Sequence, residues 1–160
     1  MSLETLALEV GRELKNRHLK LATAESCTGG GLSYWVTSIA GSSDWFDRGF
    51  VTYSNQAKLD MLAVNAQTLA THGAVSEQTA REMAAGALKL SKADMSIAIT
   101  GIAGPNGGSI EKPVGTIWLA WAKRNGTIHT ETHIFAGNRD EVRTRTIERA
   151  LQILILYIKS

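Results

Sequence analysis

The chain has 160 residues, of which 44% are hydrophobic and 20% are charged, and its net charge is +2. This composition is typical of a soluble globular protein, and the length predicts one domain spanning residues 1–160. The small charge, with no cluster of lysines and arginines, predicts no nucleic-acid partner. No apolar run approaches the roughly 20 residues of a membrane span, and the amino terminus lacks a signal-peptide pattern. A single cysteine excludes an internal disulfide, so we expect a cytoplasmic protein without a membrane partner.

The first part of the chain is predicted to form a helix, a buried strand and a second helix. Apolar residues at positions 3, 6, 10 and 14 recur with helical spacing, and an apolar run over 19–24 indicates a strand. A glycine-rich turn at 26–31 leads into a helix that ends near residue 39. Such a turn can present backbone N–H groups to an anion, so Ser26, Thr28 and Gly29 are candidate substrate-binding residues. The alternative is that Ser26 only caps the helix.

The stretch at 41–58 carries groups suited to nucleophilic catalysis; its sequence is GSSDWFDRGFVTYSNQAK. Residues 45–53 alternate and are rich in aromatic and β-branched side chains, which predicts a strand. Ser42 and Ser43 precede this strand, and Lys58 follows it. A serine and a lysine brought to one end of a sheet suffice for nucleophilic catalysis without histidine or metal. The alternative is an ordinary turn followed by a solvated lysine.

The remaining elements follow from periodicity, caps and turn signals. Helices are predicted over 55–62, 66–72, 77–90 and 139–158, and strands over 93–100, 114–122 and 127–135. The glycine-rich loop at 100–108 precedes a strand and is not a dinucleotide fingerprint, although it can bring backbone amides close to a ligand. Helices and strands alternate early in the chain, and three strands follow one another late in it. This order predicts an α/β fold, a single three-layer α/β/α domain with a mixed β-sheet.

Two other kinds of site are open from the sequence. His129, Glu131 and His133 share one face of a predicted strand and could bind zinc, although an exposed strand face explains them more simply. Cys27 lies beside the anion-binding turn and could be a nucleophile, but no Cys–His pairing is legible. We therefore predict no metal and no cofactor.

Motifs along nearly the whole chain resemble the C-terminal domain of the CinA (competence/damage-inducible protein) family. They are AESCTGG at 24–30, the 41–58 stretch, HGAVSEQTA at 72–80, TGIAGPNGG at 100–108, KPVGTIW at 112–118 and GNRDEVR at 137–143. The resemblance implies hydrolysis of the carboxamide of nicotinamide mononucleotide, which yields nicotinate mononucleotide and ammonia. It also implies a Ser/Lys dyad, assigned here to Ser43 and Lys58, with Tyr53, Thr100 and Arg139 nearby. Ser42 and Ser26 remain alternatives for the nucleophile.

The chemistry of amide hydrolysis gives each remaining candidate an expected role. Desolvation or a neighbouring cation such as Arg48 would lower the pKa of Lys58 so that the amine is neutral, and Tyr53 would orient the lysine or relay a proton. Thr100 and Gly101 would contact the substrate from a strand end, and Arg139 would bind its phosphate. The expected partner is a small nucleotide, and the expected assembly is a homo-oligomer. The alternative is a regulatory module of the same family that binds a pyridine nucleotide without cleaving it.

Overall fold

The computed structural model describes residues 1–160, which form an α/β fold in the predicted order of elements. The helices are α1 (Leu3–Asn16), α2 (Gly31–Thr37), α3 (Asn55–Leu62), α4 (Ala66–His72), α5 (Glu77–Lys89) and α6 (Arg139–Lys159). The strands are β1 (Leu21–Glu25), β2 (Phe46–Val51), β3 (Met95–Gly101), β4 (Thr116–Lys123) and β5 (Ile128–Ile134). A short 3-10 helix at Ser42–Asp44 was not expected. None of the helices is both long and apolar enough to cross a membrane.

The five strands form one mixed sheet in the order β2-β1-β3-β4-β5, which confirms the predicted sheet type. β1 runs parallel to both β2 and β3, whereas β4 and β5 continue the sheet antiparallel to β3. Parallel strands end at the same edge of a sheet, so the segments that follow β1, β2 and β3 emerge together. These segments begin at Ser26, Thr52 and Ile102.

Helices cover both faces of the sheet and give three layers. Leu21 and Ile97 point to one face and pack with α1, α2 and α6 in the larger hydrophobic core. Ala22 and Ala98 point to the opposite face and pack with α5. This alternation follows from the two-residue period of a strand, and the small alanines let α5 lie close to the sheet. The predicted three-layer α/β fold class is confirmed.

Candidate active site

A cavity of about 270 Å³ opens where β1, β2 and β3 end. Ser26 and Cys27 line it from the turn after β1, and Tyr53 and Lys58 line it from the segment after β2. The opposite wall comes from the end of β3, the loop after it and the start of α6, and it includes Thr100, Gly101, Asn106 and Arg139. The topology of the sheet therefore assembles the cavity from segments that are distant in sequence.

The central contact in this cavity joins Lys58 to Ser26. The Lys58 Nζ lies 3.0 Å from the Ser26 Oγ, and the lysine is only 1% exposed. Nζ also donates to the carbonyl oxygens of Thr52 and Tyr53, at 2.9 and 3.3 Å. Ser54 caps α3 by accepting from Ala57 N, so the chain turns sharply after β2 and directs Lys58 back toward the sheet.

Burial shifts Lys58 toward its neutral form. Burial lowers the pKa of Lys58 below its ordinary value of 10.5, and no carboxylate forms a salt bridge with it. A neutral amine has two N–H donors and one lone pair. In the structure Nζ donates to the Ser26 Oγ, and the Ser26 hydroxyl donates to the Tyr53 carbonyl at 3.4 Å. When the amine is neutral, the two backbone carbonyls can accept both of its donors, which leaves the lone pair for the hydroxyl proton of Ser26. This geometry suits a serine nucleophile and a lysine general base.

The structure does not bring Ser43 to Lys58. Ser42 and Ser43 lie in the 3-10 helix before β2, whereas Lys58 follows the other end of that strand. Six extended residues span about 20 Å, so the two groups lie at opposite ends of the sheet. The structure therefore pairs Lys58 with Ser26 instead of the expected Ser43, because the extended strand β2 separates Ser43 from Lys58.

Tyr53, Thr100, Gly101 and Arg139 lie in the cavity wall, as the sequence led us to expect. Arg139 Nη2 donates to the Tyr53 hydroxyl at 3.0 Å, and Nη1 donates to the Gly104 carbonyl at 2.8 Å. The Thr100 hydroxyl donates to the Ala74 carbonyl at 2.9 Å. Arg139 thus joins two sides of the cavity and presents a guanidinium at its wall.

Thr28, Gly29 and Arg48 do not line the cavity. Thr28 is fully buried, and its hydroxyl donates to Glu25. Gly29 has φ +59°, a left-handed conformation that glycine adopts easily and that suits the tight turn. Arg48 donates to Asp47 and to the Leu90 carbonyl, and burial, not Arg48, lowers the pKa of Lys58.

The cysteine alternative lacks the chemistry that a thiol nucleophile needs. Burial is the main cause that raises the pKa of Cys27 to about 12, so the thiol stays protonated. No histidine lines the cavity to serve as its base. Cys27 is therefore a wall residue beside Ser26.

The zinc alternative also lacks a suitable set of ligands. The Glu131 carboxylate accepts hydrogen bonds from His129 and His133, at 3.2 and 2.8 Å, and two more from the Arg149 guanidinium. Partial burial alone would raise the pKa of Glu131, but hydrogen bonds from Arg149, His133 and His129 lower it to about 2. No group of three or more His, Cys, Asp or Glu side chains could hold a metal ion.

Three residues near the cavity were missed from the sequence. Asn55 and Asn106 line the cavity, and Glu25 is buried at the end of β1, directly before Ser26. An acid that ends an otherwise apolar strand is an unusual pattern that could have drawn attention to Glu25. Nothing about the two asparagines separates them from ordinary turn residues.

Comparison with known proteins confirms the resemblance inferred from the motifs. The CinA C-terminal domain family matches residues 3–158. Nicotinamide-nucleotide amidohydrolase PncC of Escherichia coli K12 is 55% identical over 93% of this chain and 90% of its own length. PncC of Enterobacter agglomerans is 49% identical over 94% and 92%, respectively. The crystal structure of competence/damage inducible protein CihA from Agrobacterium tumefaciens is 48% identical, with a TM-score of 0.96 over 99% of this chain and 96% of that one.

Both the extent of the family match and the likeness of the fold lead to one conclusion. The match omits only two residues at each end of the chain, and the solved structure covers the same three layers. This chain belongs to the CinA C-terminal domain family.

Proposed function

We propose that this chain hydrolyses the carboxamide of nicotinamide mononucleotide to nicotinate mononucleotide and ammonia. The observation that carries the proposal is the buried Ser26–Lys58 hydrogen bond of 3.0 Å in the wall of a cavity. The substrate is suggested by the names of the relatives that are 49–55% identical over nearly the whole chain. Ser26, one of the alternatives left open by the sequence, is the nucleophile in this proposal.

In the first half of the reaction, neutral Lys58 takes the hydroxyl proton of Ser26 as the oxygen attacks the amide carbon. The resulting ammonium then donates that proton to the amide nitrogen, and the C–N bond breaks to release ammonia. This donation matters because an unprotonated amide nitrogen is a very poor leaving group. The product is an ester between Ser26 and the nicotinoyl group.

In the second half, Lys58 takes a proton from a water molecule that attacks the ester. The tetrahedral intermediate collapses, the Ser26 oxygen regains its proton from Lys58, and nicotinate mononucleotide leaves. Each half-reaction returns Lys58 to its neutral form, so no metal or cofactor is required. The Thr52 and Tyr53 carbonyls orient the amine throughout.

Backbone N–H groups beside Ser26 are suited to stabilise the oxyanion. The N–H groups of Cys27 and Thr28 have no backbone acceptor, and both belong to the turn that carries the nucleophile. A donor in the residue after a nucleophile is a recurrent way to build an oxyanion hole. Arg139, across the cavity, is the one arginine in its wall and provides a fork that matches a phosphate.

The decisive experiment is an ammonia-release assay on nicotinamide mononucleotide, run with and without a chelator. We expect release in both conditions, and we expect Ser26→Ala to abolish it. A protein that binds the nucleotide without releasing ammonia would instead be a regulatory module. Release that stops with chelator and returns with zinc would overturn the Ser/Lys mechanism.

A further inference from the structure

Glu25 takes no part in the reaction proposed above, yet its environment is unusual for an acidic residue. Its side chain is fully buried at the end of β1. Every hydrogen bond to its carboxylate comes from a neutral donor: Thr28 Oγ1 at 2.6 Å, Leu32 N at 2.8 Å, and Ser33 N and Oγ at 3.0 and 2.7 Å. Burying a carboxylate is costly unless hydrogen bonds replace its hydration, so this arrangement calls for a reason.

These bonds make Glu25 the cap of α2, supplied from the preceding strand. Gly30 occupies the N-cap position and has no side chain to accept the orphan N–H groups of the first turn. Leu32 N and Ser33 N are among those groups, and the Glu25 carboxylate accepts both. The positive end of the helix dipole further favours a carboxylate at this position. The Glu25 side chain therefore fixes where α2 begins relative to β1.

The segment between the strand and the helix carries the nucleophile. It starts at Ser26, whose N–H donates to the Ile99 carbonyl at 3.0 Å. Its far side is held by Arg143, which donates to the Thr28 carbonyl at 3.0 Å. Glu25 holds the inner side through the Thr28 hydroxyl. Without that carboxylate, the turn would be free to shift the Ser26 side chain and the adjacent N–H groups together.

Glu25 also reaches the lysine half of the pair through its backbone. The Glu25 carbonyl accepts from Thr52 N at 2.8 Å, and the Thr52 carbonyl in turn accepts from Lys58 Nζ at 2.9 Å. Glu25 thus contacts both parts of the pair. Its side chain binds the turn that bears Ser26, and its main chain binds the segment that orients Lys58.

We propose that Glu25 is a positioning residue for the reaction: its buried carboxylate sets the Ser26–Gly31 turn so that the Ser26 hydroxyl meets Lys58 and the turn N–H groups face the substrate. This inference rests on the proposed role of Ser26. It assigns Glu25 no contact with substrate, in agreement with its absence from the cavity wall. Loss of the carboxylate should therefore slow chemistry and leave binding of the nucleotide intact.

The test compares Glu25→Gln with the wild type in two measurements that do not need the natural reaction. The first is the rate at which a fluorophosphonate labels Ser26, followed by the fluoride released as the serine oxygen displaces it. The second is the Kd of nicotinate mononucleotide. Gln can accept at only one of the two oxygen positions, and its NH₂ faces donors at the other. We expect labelling to slow roughly tenfold or more, with Kd changed by less than about threefold.

Glu82→Gln is the matched control. Glu82 also anchors the start of a helix, because its carboxylate accepts from Asn65 N and the Thr68 hydroxyl at α4, and these residues lie outside the cavity. We expect wild-type labelling in this variant. Thr28→Val is the milder second variant, since it removes one donor to Glu25, and we expect a smaller loss of labelling with unchanged Kd.

The outcomes separate the two proposals. A folded Glu25→Gln variant that is labelled at the wild-type rate would overturn the positioning role. The role would also be overturned if labelling and nucleotide binding both fell in proportion to the fraction of protein that is folded. If Glu25→Gln does not fold, Thr28→Val decides: slower labelling at constant Kd supports the role, and wild-type labelling overturns it. Failure of the proposed function appears elsewhere, as a wild-type protein that labels at Ser26 but releases no ammonia from nicotinamide mononucleotide.

Discussion

Lys58 Nζ and Ser26 Oγ lie 3.0 Å apart, although the two residues are separated by 32 positions in the chain. Their contact depends on the parallel pairing of β1 and β2, in which Glu25 lies beside Val51. Both strands end at these residues. Ser26 follows β1 and Lys58 follows β2, so the two side chains meet at the same edge of the sheet. In the proposed reaction the two side chains act as one chemical unit.

Ser26→Ala and Lys58→Met should each lower kcat for nicotinamide mononucleotide by about a thousandfold or more, because each removes half of one unit. The double variant should be little worse than either single variant. Lys58→Met should also fold well, since an apolar side chain of similar length replaces a buried amine. Steady-state kinetics with circular dichroism provide the check.

Ser43→Ala serves as the matched control for that set, because Ser43 lies at the opposite end of β2. It should retain a wild-type rate. If Ser43→Ala folded but were inactive while Ser26→Ala stayed active, the nucleophile would be Ser43, as the motif first led us to expect.

The pH dependence of kcat/KM should show a rising limb below the ordinary lysine value of 10.5. Burial lowers the pKa of Lys58, and the base must be neutral, so activity increases as pH rises through that lowered pKa. Initial rates between pH 6 and 10 measure the limb. Activity that is flat over this range, or that rises only near the ordinary lysine value, would contradict the role of Lys58 as base.

Arg139→Ala should lower kcat/KM for the nucleotide roughly tenfold to a hundredfold while leaving nicotinamide riboside almost unchanged, because only the nucleotide carries a phosphate. The measurement is kcat/KM for both substrates. Tyr53→Phe is the control, since it removes the hydroxyl that Arg139 contacts but keeps the guanidinium. Equal rates on nucleotide and riboside in the wild type would exclude a phosphate anchor.

Cys27→Ala should remain active within about tenfold of the wild type, because burial raises the pKa of this thiol to about 12 and keeps it protonated. Removing its sulfur leaves a small void beside Ser26, which accounts for a modest loss. Ammonia release measures the result. A folded but inactive Cys27→Ala would move the nucleophile from the hydroxyl to the thiol.

The Glu131 carboxylate should stabilise the fold in a pH-dependent way. Its pKa is about 2 in the folded protein against an ordinary 4.5, so the stabilisation is complete above about pH 4.5 and is lost as pH falls toward 2. Urea unfolding should show the wild type about 2 kcal/mol more stable than Glu131→Gln at pH 7, with the difference shrinking below pH 4.5. Glu111→Gln, at an exposed residue without an ion pair, should show no such difference. A constant difference for Glu131→Gln at all pH values would refute the assignment.

The sequence alone determined the order of the elements and the fold class, because these depend on local patterns. The spacing of leucines in α1, the Ser76 cap of α5 and the alternation in β5 are each legible within a few residues. It also predicted Lys58 and the Ser26 turn as candidate parts of a site, and the structure places Ser26 and Lys58 in the wall of one cavity.

Only the tertiary structure decided which serine meets the lysine. Ser43 is nearer to Lys58 in sequence, but the extended strand β2 separates the two residues. Ser26 follows the parallel neighbour β1, which ends at the same edge of the sheet as β2. The role of Glu25 and the exclusion of Thr28, Gly29 and Arg48 from the cavity wall were likewise decided by packing. Strand register and burial are long-range properties, and one local stretch of sequence does not contain them.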